Sequence, residues 1–437
     1  MVPRYVKLHA CSLYSPNLGK GRAIDLIPMV TSIDLYEDIF QNTMSGTLLL
    51  TESMGLPEIV PMIGEELISL KFSRVGEPVY ENIFLVTKLS ERSFPREETQ
   101  VYQLHFVTPE FMSSISTRLS RAFKKKTATA AIREILEKDM KLKRPASDYD
   151  FEESKPELTV VLPRMSPFDA VNFFAARAQS PTNQANYFFW QTLSGFHFRS
   201  LSSLMDSDKV QPITTVRLSP GNIFPYSQAA NEVRPEEMYV PQHFDTLFDT
   251  HNGLFRSKTI GVDPLARQFI EYDHNYVEDF GKRKHLNPFP LYTRSHANTV
   301  SQDVKVYLVA GDIPSSQNAF MKGKDPSLIA TQIEKTVDVR QRQLTELAHG
   351  RVIIKCPGFT FVEAGKVIDV RLPSTRMAQG VYSAHQKVPV GADKYHSGRY
   401  LITACRHQLY NIGGKFEYKV VIDAVKDSLK TPIENTL

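Results

Sequence analysis

The sequence predicts an α+β, β-rich chain in which one antiparallel β-unit occurs twice around inserted mixed segments. Two hairpins are the first observation. ENIFLVTKLSERSFPREETQVYQLHFVTPEFM, residues 81–112, and GRYLITACRHQLYNIGGKFEYKVVIDAVKDSL, residues 398–429, share one design: an apolar run, a turn and a second apolar run. The second observation is the pair of strands ahead of each hairpin. SGTLLLTES and GEELISLKF precede the first, and HGRVIIKCPG and AGKVIDVRLPS precede the second. The third is the change of composition between the copies, where helical periodicity replaces period-two alternation.

In each leading segment a glycine, Gly46 or Gly350, precedes alternating apolar positions: Leu48 and Leu50, then Val352 and Ile354. In each following segment Gly64 or Gly365 precedes Ile68, Leu70 and Phe72, then Ile368, Val370 and Leu372. Alternation of this kind marks half-buried antiparallel strands with one face on a core. The distance from the second glycine to its strand differs by one residue between copies, so the match is structural rather than close in sequence. A connector of about ten residues joins strand to hairpin in the first copy and one of about twenty-seven in the second, TRMAQGVYSAHQKVPVGADKYHS included. Loop closure entropy grows slowly with length, so such an insertion is tolerated. Any two antiparallel β-domains share some of these features. Four elements in the same order with matching glycines favour an internal duplication over that chance likeness.

Between the copies, TATAAIREILEKDM places Ile132, Ile135, Leu136 and Met140 on one helical face. SPFDAVNFFAARAQ offers Ser166 as N-cap, Pro167 at the first helical position and Asp169 in the first turn. NYFFWQTLSGFHFRS predicts an aromatic-rich hairpin turning at Ser194 and Gly195. QHFDTLFDTHNGLFRSKTIGVDPLARQFIEYDHNY predicts a short helix followed by strands. DPSLIATQIEKTVDVRQRQLTELAHG, bounded by Asp325 and Pro326 at its start and by His349 and Gly350 at its end, predicts one helix, or two broken near Thr336.

Composition bounds the function. The 437 residues suffice for about two to four domains, and 42% hydrophobic with 23% charged residues is the balance of a folded soluble chain. No run approaches the roughly 20 apolar residues of a membrane-spanning helix. The N-terminus lacks the apolar core of a secretory signal, so folding in a cytosol is expected. Cys11, Cys356 and Cys405 are too few and too scattered for a disulfide framework or a metal site, and are expected as buried thiols. A net charge of +4 is too small to argue for nucleic acid.

A search for chemistry finds no HExxH and no GxSxG, and the Gly-Lys pairs of NIGGKF, EAGKV and NLGKGR lack the context of a phosphate-binding loop. His243, His251, His274 and His285 fall in one region without ligand spacing, and read as polar loop histidines. The basic run Arg118–Lys126 reads as a solvated approach to the helix that follows, with an acidic partner or nucleic acid as the alternative. Tyr187, Phe188, Phe189, Trp190, Phe196 and Phe198 read as core packing against helix 166–179 rather than a stacking surface for bases or sugars. The densest acidic spots, YDFEES and HNYVEDF, read as solvated loop charge. No catalytic, cofactor-binding or metal residue is assigned, and the expectation is a non-enzymatic protein without cofactors.

Several stretches resemble the baseplate hub protein of contractile-tailed bacteriophages, a family related to the hub part of type VI secretion spikes. They are MVTSIDLYEDIFQNTMSGTLLLTES, SPFDAVNFFAARAQ with YFFWQTLSGFHFRSLSSL, THNGLFRSKTIGVD, GRVIIKCPGFTFVEAGKVIDVRLPS and DKYHSGRYLITACRHQLYNIGGKFEYKVVIDAVKDSL. They occur in the family's order from about residue 20 to 430. The resemblance implies two tube-type antiparallel β-barrel domains per chain, with inserted α+β domains. It also implies a homotrimer that builds a hollow pseudo-hexameric ring and resolves the mismatch between a sixfold tail tube and a threefold central spike. On it, residues 1–112 form the first barrel and 113–206 an α+β peripheral domain. Residues 207–238 and 300–430 form the second barrel with its preceding helix, 239–299 a peripheral insertion and 431–437 a tail.

The implied partners are a trimeric central spike, tail tube or tube-initiating proteins, a tape-measure protein and the baseplate wedge, without specific nucleic-acid binding or a membrane span. The implied location is the virion tail, assembled in a bacterial cytoplasm. Because the chain stops soon after the second unit, a separate spike partner is expected, and no fused lysozyme or peptidase. A tail-tip cell-wall hydrolase, with Asp150, Glu152 and Glu153 as acidic candidates, and the hub of a non-contractile tail tip are the alternatives. A DNA-binding protein, betrayed by steep salt dependence, is a third class.

Overall fold

The structure is a computed structural model that describes residues 5–19, 22–181, 184–206, 214–217, 232–233, 235–242, 244–263, 268–300, 302–310, 333–372, 393 and 395–433. The first β-unit contains β1 (Tyr5–Tyr14), β2 (Ile24–Asp25), β3 (Val30–Asp38), β4 (Ser45–Glu52), β5 (Leu67–Arg74), β6 (Tyr80–Arg96) and β7 (Thr99–Val107). The mixed segment holds β8 (Leu119–Lys126), β9 (Tyr149–Phe151), β10 (Leu158–Met165), β11 (Tyr187–Thr192) and β12 (Gly195–Ser200). Next come β13 (Thr214–Arg217), β14 (Glu232–Val233), β15 (Glu237–Gln242), β16 (Arg256–Asp263), β17 (Gln268–Asn275) and β18 (Lys305–Ala310). Helix Ile333–His349 then leads into β19 (Gly350–Pro357), β20 (Val367–Arg371), β21 (Gly398–Ile412) and β22 (Lys415–Lys426).

Both β-units belong to one sheet, ordered β14-β13-β20-β21-β3-β4-β7-β6-β5-β1-β22-β19-β15 with β2 on β1. A further pairing of β21 with β22 closes β21, β3, β4, β7, β6, β5, β1 and β22 into a ring of ladders. Alternation explains why these segments are strands: the inward positions of β4, β5, β19 and, up to Ala424, β22 are buried and their neighbours are not. The inward residues of both units, Leu48, Phe72 and Phe106 with Ile354, Val370 and Ile422 among them, join one continuous core. Each such side chain stabilises the fold by about 1.5–3 kcal/mol on full burial.

The same neighbour order appears twice. The first unit runs β4-β7-β6-β5 and the second β19-β22-β21-β20. The flanking strands diverge, since β1 joins β5 antiparallel whereas β13 joins β20 parallel.

Register corrects one sequence correspondence. Gly46 faces Phe106 across β4–β7, and Val352, not Gly350, faces the matching Ala424 across β19–β22. Gly350 lies two residues earlier, opposite Lys426. At Gly46 a Cβ would sit 2.4 Å from the Phe106 ring and 2.5 Å from the Asp34 carbonyl oxygen, so the glycine makes room for both. The second unit fills the equivalent space with a valine over an alanine. Gly64 and Gly365 both take φ +92, the left-handed region glycine tolerates, and Gly365 also abuts the Trp190 ring. Ile68, Leu70, Phe72, Ile368 and Val370 are buried on β5 and β20 as the alternation implies. Leu372 lies one residue past β20, partly buried against the same core.

Between the units, helices Ala128–Glu134 and Pro167–Ala175 pack with β8, β10, β11 and β12 around Phe123, Phe174, Phe189 and Phe198. Ser166 accepts the Asp169 N–H as N-cap, and Pro167 holds the first helical position. The helix ends at Ala175, earlier than the expected 179. Ile132, Ile135, Leu136 and Met140 are buried together, the last turn being a π turn. The basic run is strand β8 rather than a solvated approach, because Leu119 and Phe123 point into this core while Arg121 and Lys126 pair with Glu134 and Asp139.

β16, β17 and β18 form a separate sheet that packs against helix Ile333–His349. Residues 305–310 therefore pair with the insertion rather than with the second unit, against the sequence assignment of 300–430. Helix Ile333–His349 is described as one element; its expected start at Asp325 and Pro326 lies outside the described residues. So do His243, most of 207–238, most of the second connector and residues 434–437.

Candidate functional site

The place where the two β-units meet is built from side chains of all parts of the chain. The far half of β21 runs along β3 from Ala404 opposite Asp38 to Tyr410 opposite Ser32. On the outer face Arg406 grips Asp34 with two parallel bonds, Nε to Oδ1 at 3.1 Å and Nη2 to Oδ2 at 3.0 Å. Bidentate geometry makes this among the stronger surface ion pairs. On the inner face Leu409 faces Ile33, both inside the common core.

Glu37 of β3 is the hinge pin of the junction. Its buried carboxylate accepts the Leu193 N–H from the β11–β12 turn at 2.7 Å and the Ala364 N–H from the loop before β20 at 2.9 Å. His407 lies 3.5 Å away with no exposed surface, and its Nδ1 is 2.8 Å from the Tyr418 hydroxyl. Burial, then the Glu37 charge, pushes the Tyr418 phenol well up, so it stays neutral and able to donate. A second tie joins the β5–β6 turn to the loop after β19. Arg74 donates to Gly358 O at 2.8 Å and lies over the Phe359 ring, while Glu77 accepts the Thr360 N–H at 2.9 Å.

Two of the strand edges that are open among the described residues lie in or beside the repeated quartets. Beyond Leu85 the outer edge of β6 has no ladder partner, and residues 91–98 are exposed up to Phe94, which is 64% accessible. β15 ends the long sheet and pairs only with β19. Such edges are templates for another strand unless they are protected.

Catalytic chemistry finds little support. Asp150 contacts His197 Nδ1 at 3.2 Å and Arg199 at 3.4 Å, and that hydrogen bond from His197 holds its carboxyl below the usual range, against burial. A general acid needs the opposite shift. Glu152 accepts the Ser200 N–H at 2.7 Å and its hydroxyl at 3.1 Å, and Glu153 is exposed. Ser194 Oγ, His197 and Asp150 line up at 3.4 and 3.2 Å, but Ser194 already donates its proton to Glu363 at 3.0 Å. Ser194 is therefore not an activated nucleophile, and the hydroxyl nearer to His197 Nε2, that of Thr192 at 2.9 Å, is buried. The predicted aromatic cluster is core, Trp190 donating to Ala364 O at 3.1 Å. Sequence reading missed one carboxylate site: Asp38 and Asp423 line a cavity of about 240 Å³ with Glu37 and Arg406. Burial raises the Asp38 carboxyl, a bond from the Phe40 N–H lowers it and Asp423 adds to the rise.

Among the described residues one group has metal-ligand proximity, His285, Glu346 and Asp427. Its atoms are already committed. His285 Nδ1 meets Asp427 at 2.8 Å and Nε2 meets Phe280 O at 2.9 Å, so both ring nitrogens carry protons. Burial opposes that charge, but the bond to Asp427 and its charge outweigh it and raise the pKa. Glu346 takes Arg283 at 3.1 Å. A metal needs a neutral ring with a free lone pair, so this is a knot of ion pairs tying helix Ile333–His349 to the end of β22. No described helix is long and apolar enough to cross a membrane.

No protein-family model matches the sequence, and no curated protein aligns with it. Solved structures do. A tail protein from Neisseria meningitidis MC58 matches with a TM-score of 0.54 at 10% identity, over 97% of this chain and 99% of that one. The prophage MuSo2 43 kDa tail protein from Shewanella oneidensis matches with a TM-score of 0.53 at 11% identity, over 97% and 100%. At these identities the fold is shared. The E. coli c3393 protein, a component of the type VI secretion system, aligns at a TM-score of 0.41 and 11% identity over 99% and 79%. That score is too low to carry an argument. The neighbours in fold are tail proteins, in keeping with the hub-type resemblance of the sequence.

Proposed function

We propose that this protein is the structural hub of a tail baseplate. Three copies form a hollow ring that meets a sixfold tube on one side and a threefold spike on the other. The observation that carries the reading is the quartet of strands present twice in one chain with one neighbour order. Three chains with two such units supply six similar walls, the geometry that joins threefold to sixfold symmetry without strain. The fold shared with two tail proteins supports it. The mixed segment and the β16–β18 insertion are then peripheral domains, with 305–310 assigned to the insertion. Partners on this reading are a trimeric spike, tube or tube-initiating proteins, a tape-measure protein and the wedge.

Electron microscopy of the chain with its candidate neighbours tests it. Threefold end-on views with a central hole and six inner lobes are expected. A persistent monomer or dimer in the presence of spike and tube proteins would overturn it. Asp38 beside Asp423 is the one observation favouring a hydrolase. Digestion of purified cell wall by the chain, abolished in Asp38→Asn, would establish that second reading, and inertness of the unmodified chain would remove it.

A further inference from the structure

The junction inside the chain is a template for a junction between chains. Counted along β7 and β22, ladder registers equate positions of the two units, with two further bulges in β6, Ser90/Ser93 and Ser93/Arg96, that β21 lacks. Val86 and Ile402 face Phe106 and Ala424, and each is followed by a bulge. Beyond the bulge Ser93 faces Val101 as Gln408 faces Lys419. On the other side, Met238 of β15 faces Ile354 as Ile33 of β3 faces Leu48. β15 is thus the counterpart of β3, and the open length of β6 is the counterpart of the β21 segment that β3 captures.

Within the chain, Gln408 faces Asp34 and Leu409 faces Ile33. The equivalent pairs are Ser93 with Tyr239 and Phe94 with Met238. Both partners are present in every chain, yet each edge is open among the described residues. Bulges and charges such as Glu91 and Arg92 are devices that protect an edge. Protection does not explain Phe94, an aromatic ring 64% exposed at the level where Leu409 is fully buried. Nor does it explain Met238, half-buried against the common core at the matching place on β15. Pro241 falls in the irregular stretch of β15 between Tyr239 and Gln242, where a missing N–H is tolerated.

We infer that the open edge of β6 in one copy pairs antiparallel with the outer edge of β15 in a second copy, seating Phe94 against Met238. The joint repeats between chains what β21 and β3 make within one, and it rests on the ring reading above. Each chain offers one edge of each kind, so the contact is head-to-tail and closes when three chains alternate their units.

Facing residues of an antiparallel pair lie about 4.5–5.5 Å apart between Cα atoms, within the span a disulfide bridges. The test is the full chain carrying Ser93→Cys with Tyr239→Cys, oxidised gently, run on a denaturing gel and weighed by light scattering. The three native thiols are buried and will not compete; burial pushes Cys11 and Cys356 up to about 12. A covalent trimer from the double variant, with both single variants monomeric on the gel, is the expected result. A trimer by light scattering that stays uncrosslinked would overturn the joint and leave the ring reading standing. A monomer by light scattering with no crosslink would overturn both. Covalent dimers from either single variant would mean that like edges meet, and would also overturn the joint.

Discussion

Thr87 and Thr403 are each the extra residue of a bulge, and each donates its hydroxyl across the ladder, Thr87 Oγ1 to His105 O at 3.2 Å and Thr403 Oγ1 to Asp423 O at 3.1 Å. The residues before them match as well: the Val86 N–H donates to Glu66 O at 2.9 Å and the Ile402 N–H to Lys366 O at 2.8 Å. A bulge bends its strand and tightens the local twist. It is therefore where each long hairpin turns away from its own unit towards the next. Removing the hydroxyl with shape retained costs about 0.5–1.5 kcal/mol. Thr403→Val is expected at the upper end, since Thr403 is buried, and Thr87→Val at the lower, since Thr87 is exposed. Urea titration of the two variants measures both.

Gly46 and Phe106 form one packing unit, and Val352 over Ala424 is the same unit with its volumes exchanged. Gly46→Val alone drives a side chain into the ring 2.4 Å from its Cβ and against the Asp34 carbonyl oxygen at 2.5 Å, and is expected to cost several kcal/mol. Phe106→Ala alone leaves a cavity at a cost of about 3–5 kcal/mol. The double variant relieves the ring clash while the contact with the Asp34 carbonyl stays, and it should lose at least about 1 kcal/mol less than the sum, the signature of coupled neighbours. Strict additivity in a denaturation cycle would refute the equivalence.

That pair also shows where sequence reading stopped. Alternation placed the inward residues of β4, β5, β19 and β20 on one face, because period two is local. It could not choose between registers two residues apart, which preserve the alternation equally. Matching Gly46 to Gly350 was the result, and only the cross-strand partners Phe106 and Ala424 decide. The basic run at β8 misled for a related reason: its charges are matched by Glu134 and Asp139, carboxylates on the next helix that no local pattern links to it. Glu37 left no signal, since Leu193 and Ala364 offer backbone N–H groups that any residue carries.

Glu37→Gln keeps the size of the side chain but replaces one acceptor oxygen with an amide nitrogen. Either the Leu193 or the Ala364 N–H then faces a donor in a buried place. A buried donor without an acceptor costs about 1–3 kcal/mol. The variant should fold, with faster hydrogen exchange at those two amides than at β4 or β7. Unchanged protection at both would show that Glu37 does not hold the junction.

Lys426, at the end of β22, gives the molecule a pH signature of known sign. Its ammonium donates to Tyr395 O and lies 5.1 Å from the Tyr400 ring centroid, almost wholly out of water. Burial lowers its pKa from 10.5 to about 8, with Asp393 pulling weakly the other way. The folded chain therefore gives up this proton before the unfolded chain does. Between about pH 8 and 10.5 the unfolded state binds more protons, so this group makes stability rise with pH in that window. Below pH 8 both states hold the proton and the cost of burying the charge is fully present. Lys426→Met keeps the aliphatic stem and removes the charge, so it should be more stable than the unmodified protein at pH 7. The gap should shrink steadily from pH 8 to 10, followed by thermal unfolding at each pH. A gap that stays constant over that range would mean that Lys426 titrates at its ordinary value and that its ammonium reaches water.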